Sequence, residues 1–270
     1  MILELSVILV NYNGIEYLDA CLKSIEENLA TINYEIIIID NCSSDDSCKF
    51  IKENYPKINL IESKNNNGFG KGNNLAVQQS KGSYLLLLNV DTILQNNIKP
   101  ALDYLISNKE IGALGINMLS GTKKYLQAAG KFPNFINLFW MKKAFSFNKE
   151  FISGNFSNLI YEVDWLTGSF ILMPKNVFEK INGFDEDYFL YVEDVDLCKR
   201  ISDLGYKRVF YTSLNYIHFV GFNKKKNKML IEGFQLYINK HFKGIYKYIC
   251  HGLLKINQTI KKIKSRFDED

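Results

Sequence analysis

Residues 84–91 read YLLLLNVD, from Tyr84 to Asp91. One tyrosine and four leucines make an apolar run too short to span a membrane, and such a run predicts a strand buried on both faces. The run ends on Asn89 and Asp91. In open α/β sheets ligands bind beyond the carboxyl ends of the strands, which puts these two oxygen-bearing side chains where chemistry is expected. One carboxylate and one amide oxygen, two residues apart, suit Mg²⁺ or Mn²⁺ better than Zn²⁺. They also make an ordinary Asn/Asp turn after a strand, and these eight residues alone leave both readings open.

Upstream the same grammar repeats. Leu5 to Val10 (LSVILV) predicts a buried strand closed by Asn11, Tyr12, Asn13 and Gly14. Leu18, Leu22, Ile25 and Leu29 then fall at helical spacing and form one apolar stripe. Tyr34 to Ile39 predicts a second strand ending on Asp40, and Ile58 to Ile61 a third. Between them, Ser44 followed by Asp45 and Asp46 predicts a capped helix over Asp45 to Tyr55. Strand, helix, strand, helix, strand is the pattern of a parallel sheet with helices on its faces. Residues 65–76, NNNGFGKGNNLA, predict a glycine-rich loop that brings backbone close to a ligand, with a helix following to about Ser80. The spacing matches neither a P-loop nor the dinucleotide fingerprint.

Downstream, a helix is expected over Ile98 to Ser107 and a strand over Ile111 to Asn117. Residues 120–163 are crowded with aromatics, among them Phe132, Phe135, Phe139, Trp140, Phe145, Phe147, Phe151, Phe156 and Tyr161. They fit either local core or a lid facing an acceptor or a membrane. Trp165 to Pro174 (WLTGSFILMP) returns to strand, and Lys175 to Ile181 predicts a helix stopped by Asn182–Gly183. In GFDEDYFLYVEDVDLCKRISDLGYK an aromatic loop leads into a helix starting near Glu193, with Val195, Cys198, Ile201 and Leu204 on its inner stripe. Glu193, Asp194 and Asp196 fall in its first turn, where the helix dipole favours ionised carboxylates, and Asp196 reads as capping chemistry. Lys207 to Tyr211 predicts another strand. His218 lies in an apolar stretch, where a lone histidine is more often packed than ligating.

The 270 residues can fill one large domain or two small ones. Cys21, Cys42, Cys48, Cys198 and Cys250 are odd in number and show no CxxC spacing, as expected for reduced thiols in a cytosolic protein. Met1 to Val10 lacks the basic start and long apolar centre of a secretory signal. The net charge of +4 hides an asymmetry. Residues 222–270 carry 12 Lys and Arg against 4 acidic residues, a net of +8, so residues 1–221 sum to −4. A mildly acidic body argues against nucleic acid as a partner, and a basic tail argues for an anionic surface. In that tail Ile245, Ile249, Leu253, Ile256, Ile260, Ile263 and Phe267 recur at helical steps, with Lys243, Lys247, Lys255, Lys261, Lys262 and Lys264 largely between them. Such an amphipathic basic helix docks on the body, pairs with a second subunit in a homodimer, or lies on an anionic membrane, and we favour the membrane.

Taken in order, SVILVNYNG, IIIIDNCSSDDS, NNNGFGKGNNLA, LLLLNVDT, WLTGSFILMP, GFDEDYFLYVEDVDLCKR and the His218 segment resemble the inverting family 2 glycosyltransferases of the GT-A fold. The resemblance spans residues 6 to about 221 and is nearest to rhamnosyltransferase-like members that build bacterial cell-surface polysaccharides. It implies an α/β fold with a mostly parallel central sheet flanked by helices, over residues 1–222, followed by a helical tail at 223–270. It also implies a donor that is a nucleotide-diphosphate sugar, dTDP-rhamnose or a UDP-sugar, held by Asn11, Tyr12, Asp40, Asn66, Gly68, Asn73 and Asn89. Asp91 and His218 would hold a divalent Mn²⁺ or Mg²⁺, Asp194 would be the general base, and Trp165 and Glu193 would face a saccharide or lipid-linked saccharide acceptor. The implied location is the cytoplasmic face of the cell membrane. Two departures stand out: Asn-Val-Asp replaces the family's usual Asp-x-Asp, and Phe-Val-Gly-Phe with a lysine run follows His218 in place of small polar residues. A non-catalytic nucleotide-sugar-binding scaffold and, less favoured, a sugar-nucleotide nucleotidyltransferase are the competing readings.

Overall fold

The computed structural model describes residues 3–139, 148–219 and 226–267, with side chains placed from 227 to 260 in the last stretch. Trp140, Phe145, Phe147, Lys224, Lys225 and the side chains of Lys226, Lys261, Lys262, Ile263, Lys264 and Phe267 lie outside what is described.

Twelve strands are present among these residues: β1 (Leu5–Asn11), β2 (Tyr34–Asp40), β3 (Asn59–Glu62), β4 (Tyr84–Asn89), β5 (Thr92–Leu94), β6 (Ile111–Ser120), β7 (Tyr125–Leu126), β8 (Ala129–Gly130), β9 (Ile160–Glu162), β10 (Trp165–Leu166), β11 (Phe170–Pro174) and β12 (Lys207–His218). The helices are α1 (Ile15–Asn28), α2 (Ser47–Asn54), α3 (Gly68–Val77), α4 (Lys99–Ser107), α5 (Phe135–Phe139), α6 (Lys149–Ser153), α7 (Lys175–Lys180), α8 (Glu193–Asp203), α9 (Lys226–His241) and α10 (Gly244–Phe267). The main sheet runs β3-β2-β1-β4-β11-β6-β12-β5, with β7 on β6 and β9 on β12, and a small second sheet pairs β8 with β10.

The leucine run does what its composition demands: Leu85 to Leu88 are buried and β4 sits between β1 and β11. β3, β2, β1 and β4 are mutually parallel, so their carboxyl ends share one edge. Register sets Asn11 of β1 directly opposite Asp40 of β2, and Val10 opposite Asn89 of β4. β11 then enters antiparallel, and β12 carries the chain back to that edge parallel to β6.

The structure revises several local expectations. α2 begins at Ser47, and Ser44 caps nothing: its N–H donates to Asn13 Oδ1 instead. Asp45 takes the tying role, accepting from the N–H groups of Ile15 and Ser47 and so fastening α1 to α2. The glycine-rich stretch is not a loop; Gly68, Gly70 and Gly72 all lie inside α3. At Gly68 φ is +75°, and a Cβ there would collide with the Phe189 carbonyl oxygen, so this glycine admits the protein's own backbone. Residues 165–174 form two strands in two sheets, broken at Thr167–Ser169. The described part of the aromatic segment is partly core: Phe151 is buried and its ring meets those of Phe156, Tyr161 and Phe210.

The largest revision concerns the expected boundary at 222/223. Phe234, Tyr237 and Ile238 of α9 are buried in the same core as the sheet. At about 1.5–3 kcal/mol per buried side chain of this size, α9 is integral to the body.

Candidate active site

Two cavities open beside the strand ends. The first, about 250 Å³, is lined by Tyr12, Asn13, Tyr17, Asn41, Asn66, Gly68, Phe69, Asn89, Asp91, Phe189 and Leu190, among others. Of the expected donor residues, Tyr12, Asn66, Gly68 and Asn89 therefore face it, together with Asp91. Asn11, Asp40 and Asn73 do not line it; all three are buried. Asn11 Nδ2 donates to Asp40 Oδ2 at 2.7 Å, while Asp40 Oδ1 accepts from the Ser43 N–H at 2.8 Å. Asn73 donates to the Phe69 carbonyl inside α3. These three hold the loops and the helix that frame the cavity.

His218 reaches this cavity edge from the far end of the chain. β12 pairs antiparallel with β5, matching His218 to Thr92, and the Phe219 N–H donates to the Asp91 carbonyl at 2.9 Å. The imidazole Nε2 thereby lies 3.2 Å from Asp91 Oδ1 and 3.4 Å from Asn89 Nδ2. Asn89 Oδ1 is buried without a hydrogen-bond partner. The Asp91 carboxylate suits Mn²⁺ or Mg²⁺ and the His218 imidazole suits Mn²⁺ better, while Asn89 turns its Nδ2 toward the imidazole and keeps an unsatisfied amide oxygen nearby. Among the described residues no group of three His, Cys, Asp or Glu side chains could hold a metal ion, so substrate oxygens would have to complete a coordination shell here.

The second cavity, about 220 Å³, is lined by Gln127, Trp165, Thr167, Tyr191, Glu193, Asp194, Leu230 and Phe234, among others. Trp165 is anchored by Nε1 donating to the Lys131 carbonyl at 2.9 Å and presents its ring at this wall. Both oxygens of Asp194 are pinned: Oδ2 accepts from the Gly168 N–H at 2.9 Å and Oδ1 from the Val195 N–H at 2.8 Å. Burial pushes the Asp194 carboxyl above the usual carboxylate range, and these N–H donors offset that in part. Glu193 is pushed up further, by burial first and by the adjacent Asp194 charge second, and its Oε2 is buried without a partner. Gly168 stands between the two cavities: a Cβ added there would lie 3.1 Å from the Phe69 ring and 3.5 Å from Asp194 Cβ.

The turn into α8 is strained. Tyr191 and Val192 have φ of +73° and +75°, a region a β-branched valine enters only under constraint. α9 supplies it. Gly233 brings α9 so close that a Cβ would lie 2.7 Å from the Tyr191 carbonyl oxygen.

The sequence profile described as Glycosyl transferase family 2 matches residues 6–181, well over half the chain. The chain belongs to glycosyl transferase family 2. A second profile, described as N-terminal domain of galactosyltransferase, matches residues 151–225. Among relatives of this family 2 glycosyltransferase, rhamnosyltransferase WbbL of Escherichia coli K12 is 27% identical over 270 residues, covering 97% of this chain and 98% of the relative. The N-acetylglucosaminyl-diphospho-decaprenol L-rhamnosyltransferase of Mycobacterium tuberculosis is 26% identical over 237 residues, 79% of this chain and 75% of that one. Solved structures with the same GT-A fold include S. aureus TarS 1–349 (TM-score 0.58, 16% identity, 93% of this chain and 69% of that one). They also include mannosyltransferase PcManGT from Pyrobaculum calidifontis in complex with GDP-Man and Mn²⁺ (TM-score 0.62, 15% identity, 93% and 69%).

Sequence reasoning passed over Tyr17, Asn41 and the pair Phe189–Leu190. Asn41, next to Asp40, donates to the Gly68 carbonyl at 2.9 Å and fixes the start of α3. The Tyr17 ring of α1 stacks on Phe219 with centroids 5.7 Å apart, beside His218. Asp196 was read as capping. It is fully buried instead, accepting from Arg200 Nε at 2.7 Å, with His241 Nε2 of α9 also at 2.7 Å.

Proposed function

We propose that this glycosyltransferase moves a sugar, with inversion, from a nucleotide-diphosphate sugar to a saccharide or lipid-linked saccharide in cell-surface glycan synthesis. The observation that carries the proposal is the pairing of two unlike ends across Gly168: Asn89 and Asp91 at one cavity, with His218 against Asp91 behind them, and Asp194 and Glu193 at the other. The first would receive the diphosphate and the second the attacking hydroxyl. The printed activities of the relatives, rhamnosyl transfer in both and a diphospho-decaprenol acceptor in one, favour an activated rhamnose such as dTDP-rhamnose over a UDP-sugar as donor, and a lipid-linked acceptor.

In this reading Asp194 takes the proton from the acceptor hydroxyl as its oxygen attacks the anomeric carbon. The new C–O bond forms while the bond to the diphosphate oxygen breaks, and the nucleotide diphosphate leaves. One base and one displacement suffice, with no covalent sugar–enzyme intermediate. Two backbone N–H donors hold both Asp194 oxygens in place, and desolvation keeps its proton affinity above that of a solvated carboxylate, which makes it a better base than a carboxylate in water. Glu193, with one oxygen unpartnered, would hold a second acceptor hydroxyl. Asp91, His218 and Asn89 would hold Mn²⁺ or Mg²⁺, whose chemistry is to neutralise charge on the departing diphosphate. Tyr12, Asn66 and Gly68 would line the nucleotide part of the site.

The decisive experiment screens sugar nucleotides for metal-dependent release of nucleotide diphosphate, with thermal shift as the binding control. Release with one dTDP- or UDP-sugar in Mn²⁺ or Mg²⁺ is expected. Binding of a donor with no release under any metal and acceptor would favour a non-catalytic sugar-nucleotide binder.

A further inference from the structure

The basic tail divides into two unlike helices. α9 is covered, with Phe234, Tyr237 and Ile238 in the core, His241 on Asp196, and Lys240 paired with Asp185 and Asp187. α10 is covered on one side only. Its inner face buries Cys250 and Leu254, and it is fastened to α5 by Asn257 Nδ2 donating to the Phe139 carbonyl at 2.6 Å and by the Tyr246 hydroxyl accepting from the Phe135 N–H. Among the described residues its opposite face is uncovered, leaving Ile245 79% exposed, Tyr248 74%, and Ile249 and Ile256 each 47%. At 100° per residue these four, with Ile260, fall on one stripe turned away from Cys250 and Leu254. Ile136 of the attached α5 is exposed as well, at 59%. Isolated exposed isoleucines need no explanation, but a contiguous stripe along a helix does.

The inner face is already satisfied by the body, so the outer stripe requires another surface. Charge selects which one. From Lys243 to Phe267 the sequence contains lysines and an arginine but no Asp or Glu. A second copy docked through this stripe would set one all-basic helix against another with no carboxylate on either, whereas an anionic lipid surface offers apolar depth and opposite charge together. Among the described residues no helix is long and apolar enough to cross a membrane, which leaves α10 in the plane of the interface.

We propose that the outer face of α10, extended by Ile136 of α5, is an interfacial membrane seat for anionic lipid. The apolar stripe enters the acyl boundary, and two exposed lysines, Lys255 on the flank of the stripe and Lys243 just ahead of the helix, meet the headgroups. Because α10 is fastened to the body through α5 and the buried Leu254, the seat would hold the whole enzyme at the surface in a fixed orientation.

The test is co-sedimentation of the full-length protein with vesicles of phosphatidylcholine containing about one-third phosphatidylglycerol, against vesicles of phosphatidylcholine alone. Wild type is expected to bind the anionic vesicles, and the neutral ones roughly tenfold more weakly. Two variants are compared: Ile249→Asp with Ile256→Asp, and Lys243→Glu with Lys255→Glu. Each is expected to lose roughly tenfold or more in binding. Unchanged circular dichroism and melting temperature show that the body is intact, since none of the four side chains is buried. Wild-type binding that ignores phosphatidylglycerol overturns the proposal. So does unchanged vesicle binding by the Ile249→Asp/Ile256→Asp variant, in particular if that variant turns a dimer into a monomer by light scattering.

Discussion

The two ends of the candidate site hold their carboxylates in opposite ways. Asp91 sits at a strand end, partly open to solvent, beside an imidazole and an amide, in a cluster assembled from β4, the turn after it and β12. Asp194 sits in the first turn of a helix, half-buried beside a buried second carboxylate, with both oxygens fixed by backbone N–H groups. The first arrangement suits a cation that must come and go with a diphosphate. The second suits a group that must hold a proton briefly and give it up. Different demands on charge explain why one carboxylate faces an imidazole and an amide while the other is held by backbone N–H groups.

Removing the base should break this division most sharply. Asp194→Asn should lower turnover by roughly 10²–10⁴-fold while donor affinity, measured by calorimetry, stays within error. Turnover near wild type would mean that the base lies elsewhere. Asp91→Ala should act at the other end, lowering nucleotide diphosphate release by about a hundredfold and abolishing its dependence on added Mn²⁺. If the Asp91→Ala enzyme keeps a normal Mn²⁺ titration, the cluster with His218 is not the metal site.

The same contrast reaches into stability. Burial pushes Asp196 up, but His241 and Arg200 outweigh it and hold the carboxyl below its usual range. A lowered carboxylate contributes stability above its unfolded pKa and loses it as pH falls through the folded value. Asp196→Asn should therefore cost about 3 kcal/mol in urea melts near neutral pH, leaving Arg200 and His241 without their shared carboxylate, and the cost should shrink in acid. Glu193 has the opposite sign. Its folded pKa is raised, so wild type loses stability as pH rises from the ordinary carboxylate value toward the folded one. Glu193→Gln removes that cost, and its melting temperature should gain a few degrees on wild type, the gain growing as pH rises above the ordinary carboxylate value. A difference independent of pH would show that Glu193 ionises without penalty.

How much of this was legible beforehand follows the range over which each feature is built. β4, β1 and β2 were readable because strands buried on both faces must be apolar throughout, and the polar residues closing each run marked the edge where ligands bind. Glu193 as a helix start was equally local. The glycine-rich stretch misled because glycine serves a loop and a close helix contact alike; only the Phe189 carbonyl over Gly68 tells them apart. Asp196 misled because a helix-start carboxylate caps by default, and its partner His241 lies 45 residues away.

The sequence by itself determined the alternation of strands and helices, the polar strand ends and the two faces of α10, since periodicity records which side of an element shuns water. It could not say what each buried side meets. Sheet register put Asn11 under Asp40, the β5–β12 pairing brought His218 to Asp91, and the packing of α9 made half of an apparent tail into core. Those decisions belong to the tertiary structure, because contacts between distant segments are selected by the energy of the whole packed chain and leave no period in the sequence.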